Sequence, residues 1–419
     1  MDILQELQYR GLIHQLTDED GLAKKLSEEP VVLYSGFDPT ADSLHIGHLL
    51  PILCLKRFQM AGHIPVALVG GGTGMIGDPS GKASERTLNS KEVVAEWTEK
   101  LRSQLSRFLD FEAEGNPARM ANNYDWLGEL NVITFLRDIG KNFSVNYMLA
   151  KDSVDSRLSK GISFTEFSYM ILQAYDFYRL NNDINCSLQV GGSDQWGNIT
   201  AGLELIGKTT GRQAFGLTMP LVTKSDGTKF GKTEGGTIWL NADKTTPYQF
   251  YQFWINTDDK DVVKFLKYFT FLTPERIEEL EAQVQQSPEK REAQRVLARE
   301  VTELVHGEEA ALSAIKISEV LFSGNVDTLT GREIEQAFQD VPSTELTGGQ
   351  EIGLIDLLIA VKAAPSKRQA RQDIESGAVS LNGTKVTDLD STVRAADGLE
   401  GKYIVVRRGK RNYYLAKFD

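Results

Sequence analysis

Two histidines three residues apart, His45 and His48 in His45-Ile46-Gly47-His48, stand where an apolar run and its loop give way to a helix-like stretch. The first turn of a helix offers free N–H groups and a partial positive charge, which favour phosphate. Imidazoles on one face of that turn add donors for phosphate or ribose oxygens. Gly47 has no side chain, so a flat base or a sugar can lie against the backbone. Pro51 fits a helix start, where its missing N–H costs least. A pair of lysines, Lys229 and Lys232 in Lys229-Phe230-Gly231-Lys232-Thr233, lies in a Gly- and Lys-rich loop. Such a pair suits neutralising the charge on a departing polyphosphate. Taken singly, the histidines also read as caps and the lysines as a solvated basic loop. The strand, loop and helix around the first pair favour nucleotide chemistry.

Further polar groups fall where chemistry is possible. Tyr169, Gln173 and Asp176 recur at i, i+4 and i+7, one face of a helix; a core Tyr beside an exposed Asp is the plainer alternative. Gly191-Gly192-Ser193-Asp194-Gln195 follows an apolar run. Its glycines let the backbone approach a sugar, and Asp194 can accept from a ribose hydroxyl, although a turn with a capping Ser or Asp also fits. Gly72-Thr73-Gly74-Met75-Ile76-Gly77 spells the G-x-G-x-x-G dinucleotide fingerprint. That fingerprint needs a helix at its last glycine and an acid closing a second strand about 20 residues on. Here Asp78-Pro79-Ser80-Gly81-Lys82 follows, and 91–109 reads as helix, so a dehydrogenase is a poor fit. A P-loop fails too: Ile76 stands where its first glycine belongs, and Ala83 replaces the Ser/Thr. The stretch 70–86 reads instead as a loop carrying Asp78, Lys82 and Arg86 to a site.

The elements that must position these groups alternate. Apolar runs at 31–34, 64–69, 187–190 and 215–222 predict strands, and 49–61, 91–109 and 168–180 predict helices. The alternation implies an α/β fold, a parallel sheet with helices on its faces, whose ligands sit beyond the carboxyl ends of the strands. Residues 1–247 are expected to form this domain, with an insertion near 120–165. Residues 248–320 read as α-helical, 321–350 as a linker with few large apolar residues, and 351–419 as a compact α+β domain. The net charge of −12 is uneven: 351–419 holds 12 Lys/Arg against 9 Asp/Glu, leaving the rest at −15. A basic tail on an acidic body hints at an anionic partner. Cys54 and Cys186 have neither metal-ligand spacing nor a disulfide framework. No apolar run approaches the roughly 18 residues of a membrane span, and the first residues lack a signal-peptide pattern. A cytoplasmic protein is expected.

Together, His45–His48 and Lys229–Thr233 resemble the HIGH and KMSKS signatures of class I aminoacyl-tRNA synthetases. The first matches in full. The second differs at three of five letters and keeps both lysines at their spacing. The surrounding sequence is similar to the bacterial tyrosine-specific members over essentially the whole chain. The resemblance implies a Rossmann-like catalytic domain, an α-helical domain and a small α+β RNA-binding domain. It implies tyrosine–tRNA ligation: the L-tyrosine carboxylate attacks the α-phosphate of ATP, pyrophosphate leaves, and the 3′ ribose hydroxyl of tRNA(Tyr) takes the tyrosyl group. On that basis Asp176 and Tyr34 bind the substrate phenol, and Asp78, Tyr169 and Gln173 hold its ammonium. Thr73 and Gln195 flank the remaining polar groups. Thr40, His45 and His48 serve the phosphates and ribose, and Lys82, Arg86, Lys229 and Lys232 grip pyrophosphate. Gly36, Asp38, Gly47, Gly192, Asp194 and Thr233 line the ATP site. ATP is expected as a substrate accompanied by Mg²⁺, with no tightly bound cofactor and no protein metal site.

The tail resembles a small RNA-binding domain shared with a ribosomal small-subunit protein, through the run 366–383. Lys367, Arg368 and Arg371 on one helix, with Arg407, Arg408, Lys410 and Arg411, are expected to meet tRNA phosphates, which give affinity more than sequence choice. Family members of this kind are homodimers, and Phe143, Tyr147 and Phe164 are expected near that interface, a buried core being the alternative. A tryptophan-specific enzyme shares the architecture; Tyr34 and the extent of the match favour tyrosine. A non-catalytic RNA-binding protein would not need the intact His45/His48, Lys229/Lys232 and Asp78/Asp176 set.

Overall fold

Six strands, β1 (Gln15–Leu16), β2 (Val32–Phe37), β3 (Ile64–Val69), β4 (Arg119–Asn122), β5 (Cys186–Gly192) and β6 (Phe215–Met219), lie in the order β1-β6-β5-β2-β3-β4. In this computed structural model β2 to β6 are parallel, and β1 closes the β6 edge antiparallel. The described residues are 1–82, 88–227, 230–233, 236–339, 341–349, 351–409 and 412–419, with Lys232 and Thr233 described in backbone only. The central strands are apolar almost throughout because helices cover both faces; all five residues of β6 are buried. From β2 the chain winds outward to β3 and β4, then returns to build β5 and β6 on the other side. The reversal between β2 and β5 opens a crevice beyond Phe37 and Gly192, where ligands of such sheets bind.

Three helices frame that crevice. Leu49–Met60 follows β2 and buries nine of its twelve residues, Arg57 among them. The Arg57 guanidinium donates to Glu6 and to the carbonyls of Tyr268 and Thr270, at the C-terminal end of the helix Asp259–Phe269. An unpaired buried cation would cost several kcal/mol; a carboxylate and carbonyls at a helix C-terminus offset that. Phe164–Ile184 starts at the Ser163 cap and stops at Asn185, whose φ of 56° is the left-handed turn asparagine tolerates. It packs on Trp196–Thr210, where a Cβ on Gly202 would stand 3.0 Å from Phe177.

The chain divides into two units, Met1–Lys244 with Asp258–Ala293, and Thr245–Thr257 with Gln294–Asp419. Within the second, helices such as Pro247–Ile255 and Glu308–Ser323 accompany a five-stranded sheet. Its order is Thr384–Lys385, Val379–Leu381, Tyr403–Arg408, Asn412–Phe418, Ser343–Leu346, with the last pair parallel. Two expectations are corrected here. Residues 321–350 are not a poorly packed linker: they carry the helix Gly331–Ala337, opened by a Thr330/Glu333 capping box, and the strand Ser343–Leu346. Val326, Leu329, Ile334 and Phe338 pack with Tyr403, Val405 and Leu415. The apolar residues are few, and the four from this stretch are buried although Phe322 stays exposed. Phe143 is not surface: it packs in a core cluster with Ile139, Met148 and Met170, whereas Phe164 is 73% exposed and Tyr147 half-buried.

Candidate active site

The sheet reversal collects most of the described candidate residues. Tyr34 stands on β2, fully buried, and its hydroxyl has no partner among the described residues. Burial, then the neighbouring Asp176 charge, holds its phenol well above the usual range, so it is a neutral donor. Asp176, from the helix Phe164–Ile184, is also fully buried. Trp126 Nε1–H donates to its Oδ1 (2.7 Å) and Asn123 Nδ2–H to its Oδ2 (2.8 Å). Burial pushes the Asp176 carboxyl up to about 8, against the pull of those two donors. Desolvation therefore wins, and the group is poised near neutrality.

Asn123 is a hub. Its Oδ1 accepts from the Gly72 backbone N–H (2.8 Å), and its Nδ2 also donates to Thr73 Oγ1 (2.8 Å). Thr73 in turn donates to Asp38 Oδ1 (2.6 Å), and the Tyr169 hydroxyl donates to Asp38 Oδ2 (2.7 Å). Asp38 thus sits between Thr73 and Tyr169, closer to the groups expected for the amino acid than an ATP role alone implies. A second chain runs through Gln195. Its Nε2 donates to Asp78 Oδ2 (2.8 Å), while its Oε1 accepts from Gln173 (3.2 Å) and Asn198 (3.1 Å). Asp78 Oδ1 accepts the Ser80 N–H, which folds the loop after Gly77.

On the other side of the β2 end, the His45 and His48 rings stack at 3.9 Å. His45 Nδ1 accepts from Gly47 N–H (3.0 Å) and His48 Nδ1 from His45 N–H (3.1 Å). With both Nδ1 atoms accepting, each neutral ring carries its proton on Nε2. The motif is a single 3₁₀ turn, Ile46–His48, leading into the helix Leu49–Met60. Close packing explains Gly47: a Cβ there would lie 2.8 Å from the His45 ring. Thr40, Gly77 and Lys82 line a cavity of about 350 Å³ with Gly74, Ile76, Leu88 and Asn89. Gly36 is exposed at the β2 end. Gly192 ends β5 beside Asp194, whose Oδ1 would stand 2.6 Å from a Cβ at that glycine.

Arg86, Lys229, Lys410 and Arg411 lie outside the described residues. Lys232 and Thr233 form a short strand paired with Gly236–Thr237. In the second unit Lys367, Arg368 and Arg371 are exposed on the helix Lys367–Glu375, with Lys367 paired to Asp356. Arg408 is half-buried and already engaged, by Asp373 (2.7 Å) and the Ala363 carbonyl.

Sequence reasoning passed over four residues of this site. Asn123 and Trp126 follow β4, whose Asn122-Asn123 ending at the same sheet edge was the available signal. Gln189 pairs in register with Tyr34, so it shares that face; it is buried, and its Oε1 has no partner among the described residues. Asn198 is buried two residues into the helix after Gln195 and also reaches Ser80.

Comparison with known proteins matches this geometry to one family. The family model for tRNA synthetases class I (W and Y) covers residues 25–323, and that for the Tyrosine--tRNA ligase SYY-like C-terminal domain covers 333–416. The chain is 65% identical to Tyrosine--tRNA ligase of Geobacillus stearothermophilus over the whole of both chains. It is 63% identical to Tyrosine--tRNA ligase 1 of Bacillus subtilis, over all of this chain and 99% of the relative. Among solved structures, a C-terminally truncated mitochondrial tyrosyl-tRNA synthetase of Aspergillus nidulans superposes with a TM-score of 0.69 at 32% identity, over 77% of this chain and 94% of that one. The chain therefore belongs to the class I tRNA synthetases, in the family of bacterial tyrosyl-tRNA synthetases.

Proposed function

We infer that this chain is a tyrosine–tRNA ligase: it activates L-tyrosine with ATP, releasing pyrophosphate, and transfers the tyrosyl group to the 3′ end of tRNA(Tyr). The observation that carries the tyrosine reading is the buried pair of Tyr34, with an unpartnered hydroxyl, and Asp176, fixed by Asn123 and Trp126. A phenol completes both groups. Phenylalanine would leave them buried and unpaired, the costly case for polar groups.

Asp78, Tyr169 and Gln173 hold the substrate ammonium, and Asp38 reinforces them through Tyr169 and Thr73. The substrate carboxylate then attacks the α-phosphate in line. The new bond joins a carboxylate oxygen to phosphorus, and the bond to the bridging oxygen breaks with its electrons going to pyrophosphate. No protein nucleophile is required. Cys54 and Cys186 are buried, and burial pushes the Cys54 thiol up to about 12 and the Cys186 thiol still higher, so neither offers a thiolate. Catalysis rests on positioning and on cations and donors that meet the growing charge: Thr40, the Nε2–H groups of His45 and His48, Lys82, Arg86, Lys229 and Lys232. Mg²⁺ would accompany ATP as part of the substrate and would offset phosphate charge; among the described residues no cluster of three or more His, Cys, Asp or Glu gathers to hold a metal.

The tail's Lys367, Arg368, Arg371 and Arg407 meet tRNA phosphates, while Arg408 serves the domain's own packing. A homodimer is supported by exposed Val132, Ile133, Leu136, Val145 and Phe164 in the 120–165 region, an apolar group that a partner copy would cover. No described helix is long and apolar enough to cross a membrane, and work in the cytoplasm is proposed with the rest.

The test is exchange of labelled pyrophosphate into ATP with tyrosine, tryptophan and phenylalanine offered separately. Exchange with tyrosine alone is expected. Exchange with tryptophan would overturn the pocket reading, and none with any amino acid would overturn the enzyme.

A further inference from the structure

We propose that the helix Asp259–Phe269 is an anchor that holds residues 223–225 and Phe230 and Gly231 against the His45–His48 motif, with Asp261 and Lys264 as positioning residues for adenylate formation; this rests on the ligase reading above. Asp261, in the first turn, is 2% exposed, yet it spends its carboxylate on a loop. The Ser225 N–H reaches both its oxygens (3.1 and 3.0 Å), and Ser225 Oγ donates to Oδ2 (3.0 Å). Lys264, one turn on, donates from Nζ to the Thr223 carbonyl (2.8 Å) and to Asp261 Oδ1 (3.0 Å). Residues 223 to 225 are thus pinned to the front half of the helix.

The far side of the segment is pinned to its back half. Phe230 stacks on Phe269 at 5.3 Å and meets Phe265 edge-on at 5.2 Å. The next residue, Gly231, has φ of +79° and leaves no room for a side chain, since a Cβ would stand 2.5 Å from Ile46 Cγ2. Its carbonyl accepts from Ile238 N–H (3.0 Å), and the Ile238 carbonyl accepts from Ile46 N–H (3.0 Å). Leu240 N–H donates to Leu44 (2.9 Å), so 238–240 runs beside the strand-like entry to the histidines. Two backbone hydrogen bonds therefore separate Gly231 from Ile46, the residue between the two signature positions His45 and Gly47.

The helix itself is held at its other end. Arg10 donates to the Lys267, Thr270 and Leu272 carbonyls, and Arg57 to those of Tyr268 and Thr270. Arg57 belongs to Leu49–Met60, the helix His48 opens. One element is thereby bolted both to the helix behind the histidines and to residues 223–225 and 230. Plain core packing is the competing explanation. It accounts for Phe265 and Phe269, but it does not call for a buried carboxylate whose partners are Lys264 and one loop residue.

The experiment measures tyrosine-dependent pyrophosphate exchange for the full chain and for Asp261→Ala, Asp261→Asn and Lys264→Met. Tyrosine affinity without ATP and thermal unfolding are measured alongside. An anchor predicts kcat lower by about tenfold, the scale of one charge-assisted hydrogen bond, with tyrosine affinity unchanged. It also predicts partial recovery in Asp261→Asn, which keeps one acceptor. Wild-type kcat in the variants overturns the anchor, as does a loss of tyrosine affinity in step with kcat. Where Asp261→Ala fails to fold, Lys264→Met decides, because the lysine head is partly exposed and its loss removes the Thr223 bond together with the ion pair to Asp261 while leaving the Asp261–Ser225 bonds in place. A wild-type chain without exchange counts against the ligase reading; an exchanging wild type with unaffected variants counts against the anchor alone.

Discussion

The ionisation of Asp176 can be read directly in the folded protein. Its carboxyl moves from an ordinary 3.8 to about 8 on burial. At about 1.4 kcal/mol per pH unit, that gap corresponds to on the order of 6 kcal/mol withheld from the ionised form. The sign follows from proton counting. Between about pH 4 and pH 8 the unfolded chain has released this proton and the folded one retains it. Stability from this group therefore falls as pH rises through that window and levels off above about 8. Trp126 supplies the probe, since its indole N–H lies 2.7 Å from Asp176 Oδ1. Ionisation at that distance changes its emission. Fluorescence of the ligand-free protein should show a one-proton inflection near pH 8. The inflection should vanish in both Asp176→Asn and Trp126→Phe, and saturating tyrosine should shift it downward, because the phenol is a donor to the charged form. Flat emission from pH 6 to 9, or an inflection surviving in Trp126→Phe, would refute the assignment of a buried, proton-holding Asp176.

Asn123→Ala strips a donor from Asp176 and from Thr73 and an acceptor from the Gly72 N–H; it should cost about 2–3 kcal/mol in urea unfolding and weaken tyrosine binding. Unchanged tyrosine affinity would show that the hub does not support the pocket. Asn198→Ala removes one of the two donors that hold the Gln195 carbonyl, so KM for tyrosine should rise about tenfold while kcat changes less; a fall in kcat alone would place Asn198 elsewhere in the reaction. Arg157→Ala strands Glu166, its buried partner at 2.8 Å, and should lower stability by about 3–5 kcal/mol; thermal unfolding close to wild type would mean the pair is dispensable.

Legibility in the sequence followed how local each signal was. The strands β2, β3, β5 and β6 show as apolar runs because the helices on both faces demand it. The face of Tyr169, Gln173 and Asp176 shows because helical spacing is fixed. β4 is a mere four residues, with a polar exit, and β1 is two, so neither rises above its surroundings. Asn123, Trp126 and Gln189 reach the pocket through the order in which strands pair, which no spacing along the chain encodes. In 321–350 sparse apolar residues suggest loose packing, yet Val326, Leu329, Ile334 and Phe338 suffice for a core. Thr330-x-x-Glu333, a local cap signature, lay within that stretch.

The parallel pairing of Ser343–Leu346 with Asn412–Phe418 bears on how the tail can be handled in isolation. A fragment begun at residue 351 would lack that strand and leave a seven-residue edge, Asn-Tyr-Tyr-Leu-Ala-Lys-Phe, open along its length. Open edges of this kind recruit other chains. The same cut leaves the preceding piece ending in a strand with no neighbour. The natural border of an excisable tail therefore lies upstream of residue 343, and self-association of a shorter fragment would reflect a missing strand, not a property of the surface proposed to meet tRNA.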